Sequence, residues 1–88
     1  ITTQIVSYMA TNNTKLLSID VGGTNVASYS IYIGGVLCAK KYTFFQMLNE
    51  TFRFADGMTV NDGDMISVEV VHNRPDPGDF NCNILILN

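Results

Sequence analysis

The chain has 88 residues, of which 47% are apolar and 15% charged, and its net charge is −3. Its five basic residues are scattered and form no stripe that would neutralise phosphates, so no nucleic-acid partner is expected. No run approaches the roughly 18 apolar residues of a membrane span, so no membrane partner is expected and the chain is predicted to be soluble. The charged fraction is below the about 25% of an average domain, which favours a surface partly covered by other copies or by a larger assembly.

Apolar and polar residues alternate with a period of two from Asn25 onward, and no stretch has helical periodicity. Side chains at i, i+2 and i+4 of a strand share one face, so this pattern predicts strands with one dry face. The alternation is clearest at residues 25–33, 36–44, 51–55, 65–72 and 80–87. With two weaker candidates before them, about seven strands are expected. The chain is therefore predicted to be all-β, a single domain over residues 1–88 that forms a small antiparallel β-sandwich, jelly-roll-like, or a barrel.

The first part of the chain holds the two weaker candidates. Residues 3–10 are expected to form a strand at a sheet edge or against a neighbouring subunit, and the turn-forming residues 11–14 follow it. Residues 15–21 are expected to form the next strand, with Leu17, Ile19 and Val21 on one face.

Gly34-Gly35 is the sharpest local signal in the chain. Two glycines between alternating runs supply the positive φ angles of a type I′ turn, so a hairpin is predicted here. The strand that leaves this turn carries Lys40 and Lys41 near its middle, and charges at these positions protect an exposed sheet edge.

Residues 44–49 break the alternation. Phe44, Phe45, Met47 and Leu48 bring four large apolar side chains into five positions. They form either a loop that folds over the open end of the sandwich or an exposed patch that docks on a partner. We take these four residues as candidate interface residues.

The second half alternates between strands and turns. Asp56-Gly57 is expected to turn the chain after Phe54, and Asn61-Asp62-Gly63-Asp64 to turn it again. Residues 72–79 contain two prolines and a glycine and are predicted to form a loop. Its Arg74 and Asp76 are candidate interface residues, and Arg74 also suits a local ion pair with Asp76 or Asp79.

No catalytic, metal or cofactor site is expected. Cys38 and Cys82 each fall in phase with the apolar face of their own strands, which predicts buried free thiols, although a disulfide is possible if the strands are close. His72 at a strand end is expected to be structural, since no nucleophile is near it in sequence. The 61–64 segment resembles part of a calcium loop but lacks the closing acidic residue.

The segment Ile19-Asp20-Val21-Gly22-Gly23-Thr24-Asn25 resembles the first phosphate loop of the actin-like sugar kinases of the ROK type. That resemblance implies a metal or phosphate role for Asp20 and phosphate contact by Gly22, Gly23 and Thr24. Such a kinase needs a second lobe and several hundred residues, whereas turn chemistry explains Gly-Gly-Thr-Asn without it. We therefore expect no enzyme.

Most of the chain is similar in style to small virion structural proteins of tailed bacteriophages. The features behind this resemblance are the Thr/Asn-rich start, Gly-Gly-Thr-Asn, the hairpin at residues 33–37, and the 61–68 segment before the closing strand. It implies a non-enzymatic capsid decoration (cement) protein, or a tail or fibre module, located in the virion. Its partners would be further copies of itself, as a homotrimer, and a major capsid or other virion protein. Docking would use residues 44–48 and the terminal strands.

A carbohydrate-binding β-sandwich is the alternative function. Tyr29, Tyr32 or Tyr42 would stack on sugar rings, although the chain has no tryptophan for the larger platform.

Overall fold

The computed structural model describes residues 2–23, 27–43, 49–72 and 80–87, and within these ranges the regular structure is all strand. The predicted all-β class and the predicted count of seven strands are both confirmed. The strands are β1 (Thr2–Met9), β2 (Thr14–Gly22), β3 (Ser28–Ile33), β4 (Val36–Tyr42), β5 (Glu50–Val60), β6 (Met65–Val71) and β7 (Asn81–Leu87).

The strands form two antiparallel sheets. Sheet A has the order β1-β6-β3-β4 and sheet B the order β5-β2-β7. Four strands are therefore sheet edges, and the expected edge position of β1 is confirmed. β1 of sheet A approaches β7 of sheet B, and Lys41 of β4 reaches rings on β5. Of the two predicted architectures, the structure has the sandwich and not the barrel.

The core lies between the two sheets and is built from the inward face of each strand. In β6 the burial alternates residue by residue, with Ile66, Val68 and Val70 buried and Ser67 and Glu69 on the outer face. Central strands contribute most of it because both their neighbours shield them from water. The largest fully buried side chains are Tyr29, Leu16, Ile19, Ile31, Ile66, Val21, Val60, Val68 and Val70.

The predicted hairpin at Gly34-Gly35 is confirmed. Ile33 of β3 pairs with Val36 of β4, and the two glycines between them have φ angles of 60° and 82°. Both values lie in the left-handed region that a type I′ turn requires. The Gly34 N–H also donates to the Met65 carbonyl oxygen over 2.9 Å, which ties the turn to β6.

The predicted inward face of β2 is wrong at Leu17. Between Leu16 and Ser18 the ladder to β7 advances two residues on β2 and one on β7, so Leu17 is an extra residue of β2. The ladder to β5 shifts at the same place. A bulge changes the phase of the alternation. Before the bulge the even-numbered Leu16 is buried, and after it the odd-numbered Ile19 and Val21 are buried. Leu17 is only half-buried.

The predicted turn at Asp56-Gly57 is also wrong. β5 runs without reversal from Glu50 to Val60. Its ladder to β2 breaks after Arg53 and resumes at Met58. Asp56 and Gly57 have φ angles of 62° and 72°, so the left-handed pair that suits a turn is used instead in a long bulge, with four residues of β5 opposite one of β2.

The predicted turn at residues 61–64 is confirmed. The Asp64 N–H donates to the Asn61 carbonyl oxygen, and the Gly63 N–H donates to that of Ala10, each over 2.9 Å. The Asp62 N–H donates to Asn13 Oδ1 over 2.8 Å. The β5–β6 connection is thereby fastened to the β1–β2 connection at one end of the sandwich.

Candidate functional site

The described part of the kinase-like segment lies within a sheet. Asp20 is exposed on β2, between Thr51 of β5 and Asn83 of β7, and its Oδ1 accepts a hydrogen bond from Thr51 Oγ1 over 2.6 Å. Gly22 is still in the strand, and the Asn49 and Asn81 side-chain oxygens occupy the space where a Cβ would be. Thr24 lies outside the described residues. Asp20 and Gly22 are thus residues of the central strand of sheet B.

His72 packs as a core side chain. It is 3% exposed, and its ring lies 4.7 Å from the Phe80 ring, centroid to centroid. In the described ranges no group of three or more His, Cys, Asp and Glu side chains is placed to hold a metal ion. In the 61–64 turn, Asp64 Oδ2 accepts a hydrogen bond from the Asn61 backbone N–H over 3.1 Å, so this carboxylate stabilises the turn.

The two cysteines are free thiols in different environments, and the predicted burial of Cys38 is wrong. The β3–β4 ladder shifts between Ile31 and Tyr32, which leaves Cys38 as the extra residue of β4 and exposes it. Cys82 is half-buried on the inner face of β7. Burial, and then the charge of Asp20, raises the pKa of its thiol to about 11.

The six predicted interface residues lie outside the described residues: Phe44, Phe45, Met47, Leu48, Arg74 and Asp76. The ends of their segments are described. Residues 44–48 connect β4 to β5, between buried Thr43 and exposed Asn49, and residues 73–79 connect β6 to β7.

The three tyrosines considered for sugar binding separate into two groups. Tyr29 is fully buried, and its hydroxyl donates to the Gly22 carbonyl oxygen over 3.4 Å, so the prediction that it stacks on a ligand is wrong. Tyr32 and Tyr42 lie on the outer face of sheet A, in register with Ser67 and Ser28 respectively. Tyr42 is 51% exposed.

One side of the sandwich, where β4 and β5 are the edges, carries charged residues. Lys41 is in register with inward-facing Tyr29, and its Nζ lies 5.8 Å from the centroids of the Phe52 and Phe54 rings. A charge that points inward at an open edge makes pairing with another sheet costly. Arg53 and Asp56 add charge along β5.

The opposite side, where β1 and β7 are the edges, has a different character. Neither Thr2–Met9 nor Asn81–Leu87 contains a charged residue. We call this side, formed by β1 and β7, the terminal-strand edge. Inward side chains there stay only partly buried although they pack on the core. They are Ile5, Val6, Cys82, Ile84 and Ile86.

The terminal-strand edge also exposes large apolar side chains. Leu85 and Leu87 on the outer face of β7 are 57% and 52% exposed, and Met9 at the end of β1 is 55% exposed. An open depression of about 370 Å³ beside Leu87 is also lined by Asn13, Thr14, Lys15 and Thr59.

The sequence interpretation missed Leu85 and Leu87, because it followed only the inward phase of the last strand. The available signal was Ile84-Leu85-Ile86-Leu87, in which both phases of the alternation are apolar. A strand of this kind is expected either in a sheet covered on both faces or at an edge that another chain covers.

In the described ranges no helix is both long and apolar enough to cross a membrane. Comparison with protein-family models, with curated proteins and with solved structures finds no match to this chain.

Proposed function

We propose that this chain is a non-enzymatic structural module that self-associates and docks on a larger shell, in the manner of the capsid decoration proteins that its sequence resembles. The observation that carries the proposal is the contrast between the two sides of the sandwich. Both sides expose large apolar side chains, among them Leu37 of β4 and Leu87 of β7, so the contrast is one of charge. Lys41 protects the edge formed by β4 and β5, whereas β1 and β7 contain no charged residue.

Open sheet edges attract other strands. Edge strands present unpaired N–H and C=O groups, and proteins that stay monomeric protect such edges with charges, prolines or bulges. Burying a leucine side chain fully contributes roughly 1.5–3 kcal/mol, so two half-exposed leucines offer a useful part of an interface. A second copy that covers the terminal-strand edge gains this energy without burying a charge of β1 or β7.

The second surface needed for shell docking is supported by chain order. Residues 44–48 join β4 to β5, the two edges on the side away from β1 and β7. We assign shell docking to the apolar residues of this segment, Phe44, Phe45, Met47 and Leu48. Its described flanks, Thr43 and Asn49, adjoin β4 and β5 and not β1 or β7. A module with two such sides links its own copies and also binds the shell, which adds energy that resists pressure from inside.

The first experiment measures molar mass by size-exclusion chromatography with light scattering. Wild type is expected to be a homo-oligomer, and the measured molar mass distinguishes the trimer that the resemblance implies from an even-numbered assembly. Leu87→Lys is expected to weaken association, because a charge then enters the terminal-strand edge. Leu37→Lys on β4 is the matched control, since Leu37 and Leu87 are both 52% exposed. A wild-type monomer at every concentration would contradict the self-association.

The virion assignment has its own test. Genes for a major capsid protein and a portal are expected beside this gene, and the purified chain is expected to co-sediment with empty shells assembled from that capsid protein. Phe44→Asp is expected to reduce the bound fraction several-fold while leaving the oligomer intact. Neighbouring genes of unrelated function, or no binding to such shells, would contradict the assignment.

A carbohydrate-binding role is the second candidate, supported by Tyr32 and Tyr42 on the same outer face of sheet A. Small Ser30, the register partner of Lys40, lies between them on this face, and small Ser28 is the register partner of Tyr42. A glycan array would show hits that Tyr42→Ala removes. Binding at background level for wild type would contradict this role.

A further inference from the structure

We propose that β7 pairs antiparallel with β7 of a second copy, which extends sheet B from three strands to six across a two-fold axis. This inference rests on the proposed self-association and names the strand and the symmetry that carry it. The partner is a second copy of this chain.

The first support comes from the protection of the four edge strands. β1 is interrupted by a bulge between Gln4 and Val6. β4 has the bulge at Cys38 together with two lysines, and β5 has the long bulge after Arg53. β7 differs from all three. Its residues pair consecutively with β2, whose Leu17 is the extra residue, so β7 itself is regular as well as uncharged. Regular, uncharged edges are the ones that template pairing.

The second support is the side-chain content of β7. Leu85 and Leu87 are exposed on its outer face, and Ile84 and Ile86 are only partly buried on its inner face. A strand that covers this edge must supply apolar side chains on both faces. β7 does so itself, so the edge is complementary to its own copy.

Geometry restricts the register. The two copies keep their inner faces on the same side only if a two-fold axis perpendicular to the sheet passes beside a single residue. Placing it beside Leu85 sets Leu85 against Leu85 of the second copy, on the outer face. On the inner face, Ile84 then lies opposite Ile86 of the second copy. This register gives three apolar pairs and buries no charge from either strand.

Disulfide trapping tests the pairing directly. Opposed Cα atoms in antiparallel strands lie about 4.5–5.5 Å apart, within the range that a disulfide spans. The variant is Leu85→Cys in a Cys38→Ser background, and Leu37→Cys in the same background is the control on β4. After mild oxidation we expect at least a tenfold higher yield of covalent dimer for Leu85→Cys. Equal yields would overturn the pairing.

Light scattering separates this inference from the proposed function. An even-numbered oligomer that Leu85→Lys dissociates supports β7 pairing. A trimer, or an oligomer that Leu85→Lys leaves intact, overturns β7 pairing while self-association stands. A wild-type monomer at all concentrations overturns both. Circular dichroism on each variant confirms that the strands have formed.

Discussion

Lys41 of sheet A places its Nζ 5.8 Å from the centroid of the Phe52 ring of sheet B, so the two layers meet at this edge through a charge and an aromatic face. The Phe54 ring lies at the same distance from that Nζ. A half-buried ammonium over two rings keeps its charge near water while its stem covers apolar surface. This contact closes one side of the sandwich. The lysine charge also disfavours pairing of this edge with another sheet.

Lys41→Ala is expected to lower the free energy of unfolding by about 1–2 kcal/mol, because each cation–π contact is worth roughly 0.5–1 kcal/mol and stem packing is lost as well. Lys40→Ala is the control, since Lys40 is exposed on the outer face of the same strand and should change stability by less than about 0.5 kcal/mol. Urea denaturation measures both. Equal losses for the two variants would show that the ring contacts contribute nothing.

Gly57→Ala is expected to destabilise the fold more than Gly35→Ala. Both glycines have positive φ angles, 72° and 82°, so both variants carry the left-handed penalty of about 1–2 kcal/mol. At Gly57 the added Cβ also meets Lys15 Cβ at 3.0 Å and Leu17 Cδ2 at 3.2 Å, whereas at Gly35 nothing lies within 4 Å. The difference in midpoint of thermal unfolding therefore reports the contact alone. A larger loss for Gly35→Ala would contradict the bulge geometry.

Thr43→Val is expected to cost about 1–3 kcal/mol, because it removes the acceptor of a buried backbone group. The Ala27 N–H donates to Thr43 Oγ1 over 3.1 Å at the base of the β3–β4 hairpin. Valine keeps the shape of the side chain and loses only the hydroxyl. Thr59→Val, at an exposed position of β5, is the control and should be near neutral. Guanidinium denaturation compares the two. A neutral Thr43→Val would place that N–H in contact with water.

Stability is expected to fall at alkaline pH because of Tyr29. Burial, and then the charges of Cys82 and Glu50, raise the pKa of its phenol from 10.0 to about 12. Below pH 10 the phenol is protonated in both states, so its contribution to stability is intact. Between pH 10 and 12 the unfolded chain releases a proton that the folded chain keeps, so stability falls by up to about 1.4 kcal/mol per pH unit.

Denaturation of wild type and Tyr29→Phe at pH 9, 10, 11 and 12 measures this effect. Tyr29→Phe lacks the phenol, so its stability is expected to decline less steeply over the upper part of this range. The Cys82 thiol, with a pKa raised to about 11 from 9.0, adds a similar decline that begins near pH 9 in both proteins. Parallel curves for the two proteins would contradict the burial of the Tyr29 hydroxyl.

The strands and the hairpin were predictable because they depend on local chemistry. Alternation at 65–71 specifies a half-buried strand, and Gly34-Gly35 specifies the tight turn between β3 and β4. Bulges were not predictable, because one inserted residue changes the phase of burial without any local signal. This explains the errors at Leu17 and Cys38. The turn predicted at Asp56-Gly57 was wrong for a related reason, since a turn and a long bulge both use residues with left-handed φ angles.

The candidate site was only partly predictable. The absence of charge in Thr2–Met9 and Asn81–Leu87 is visible in the sequence, as is the doubly apolar Ile84-Leu85-Ile86-Leu87. The neighbouring position of β1 and β7 is set by strand order across two sheets, which depends on long-range packing. Sequence therefore indicates what the terminal strands are made of, and only the fold shows that they form one edge.

The most direct test of the unprotected terminal-strand edge is hydrogen–deuterium exchange measured as protein concentration is raised. Amides of residues 81–87 are expected to become more slowly exchanging as copies cover β7, whereas those of residues 36–42 on guarded β4 should keep their rates. Unchanged exchange at β7, or protection that grows at β4 instead, would contradict the account.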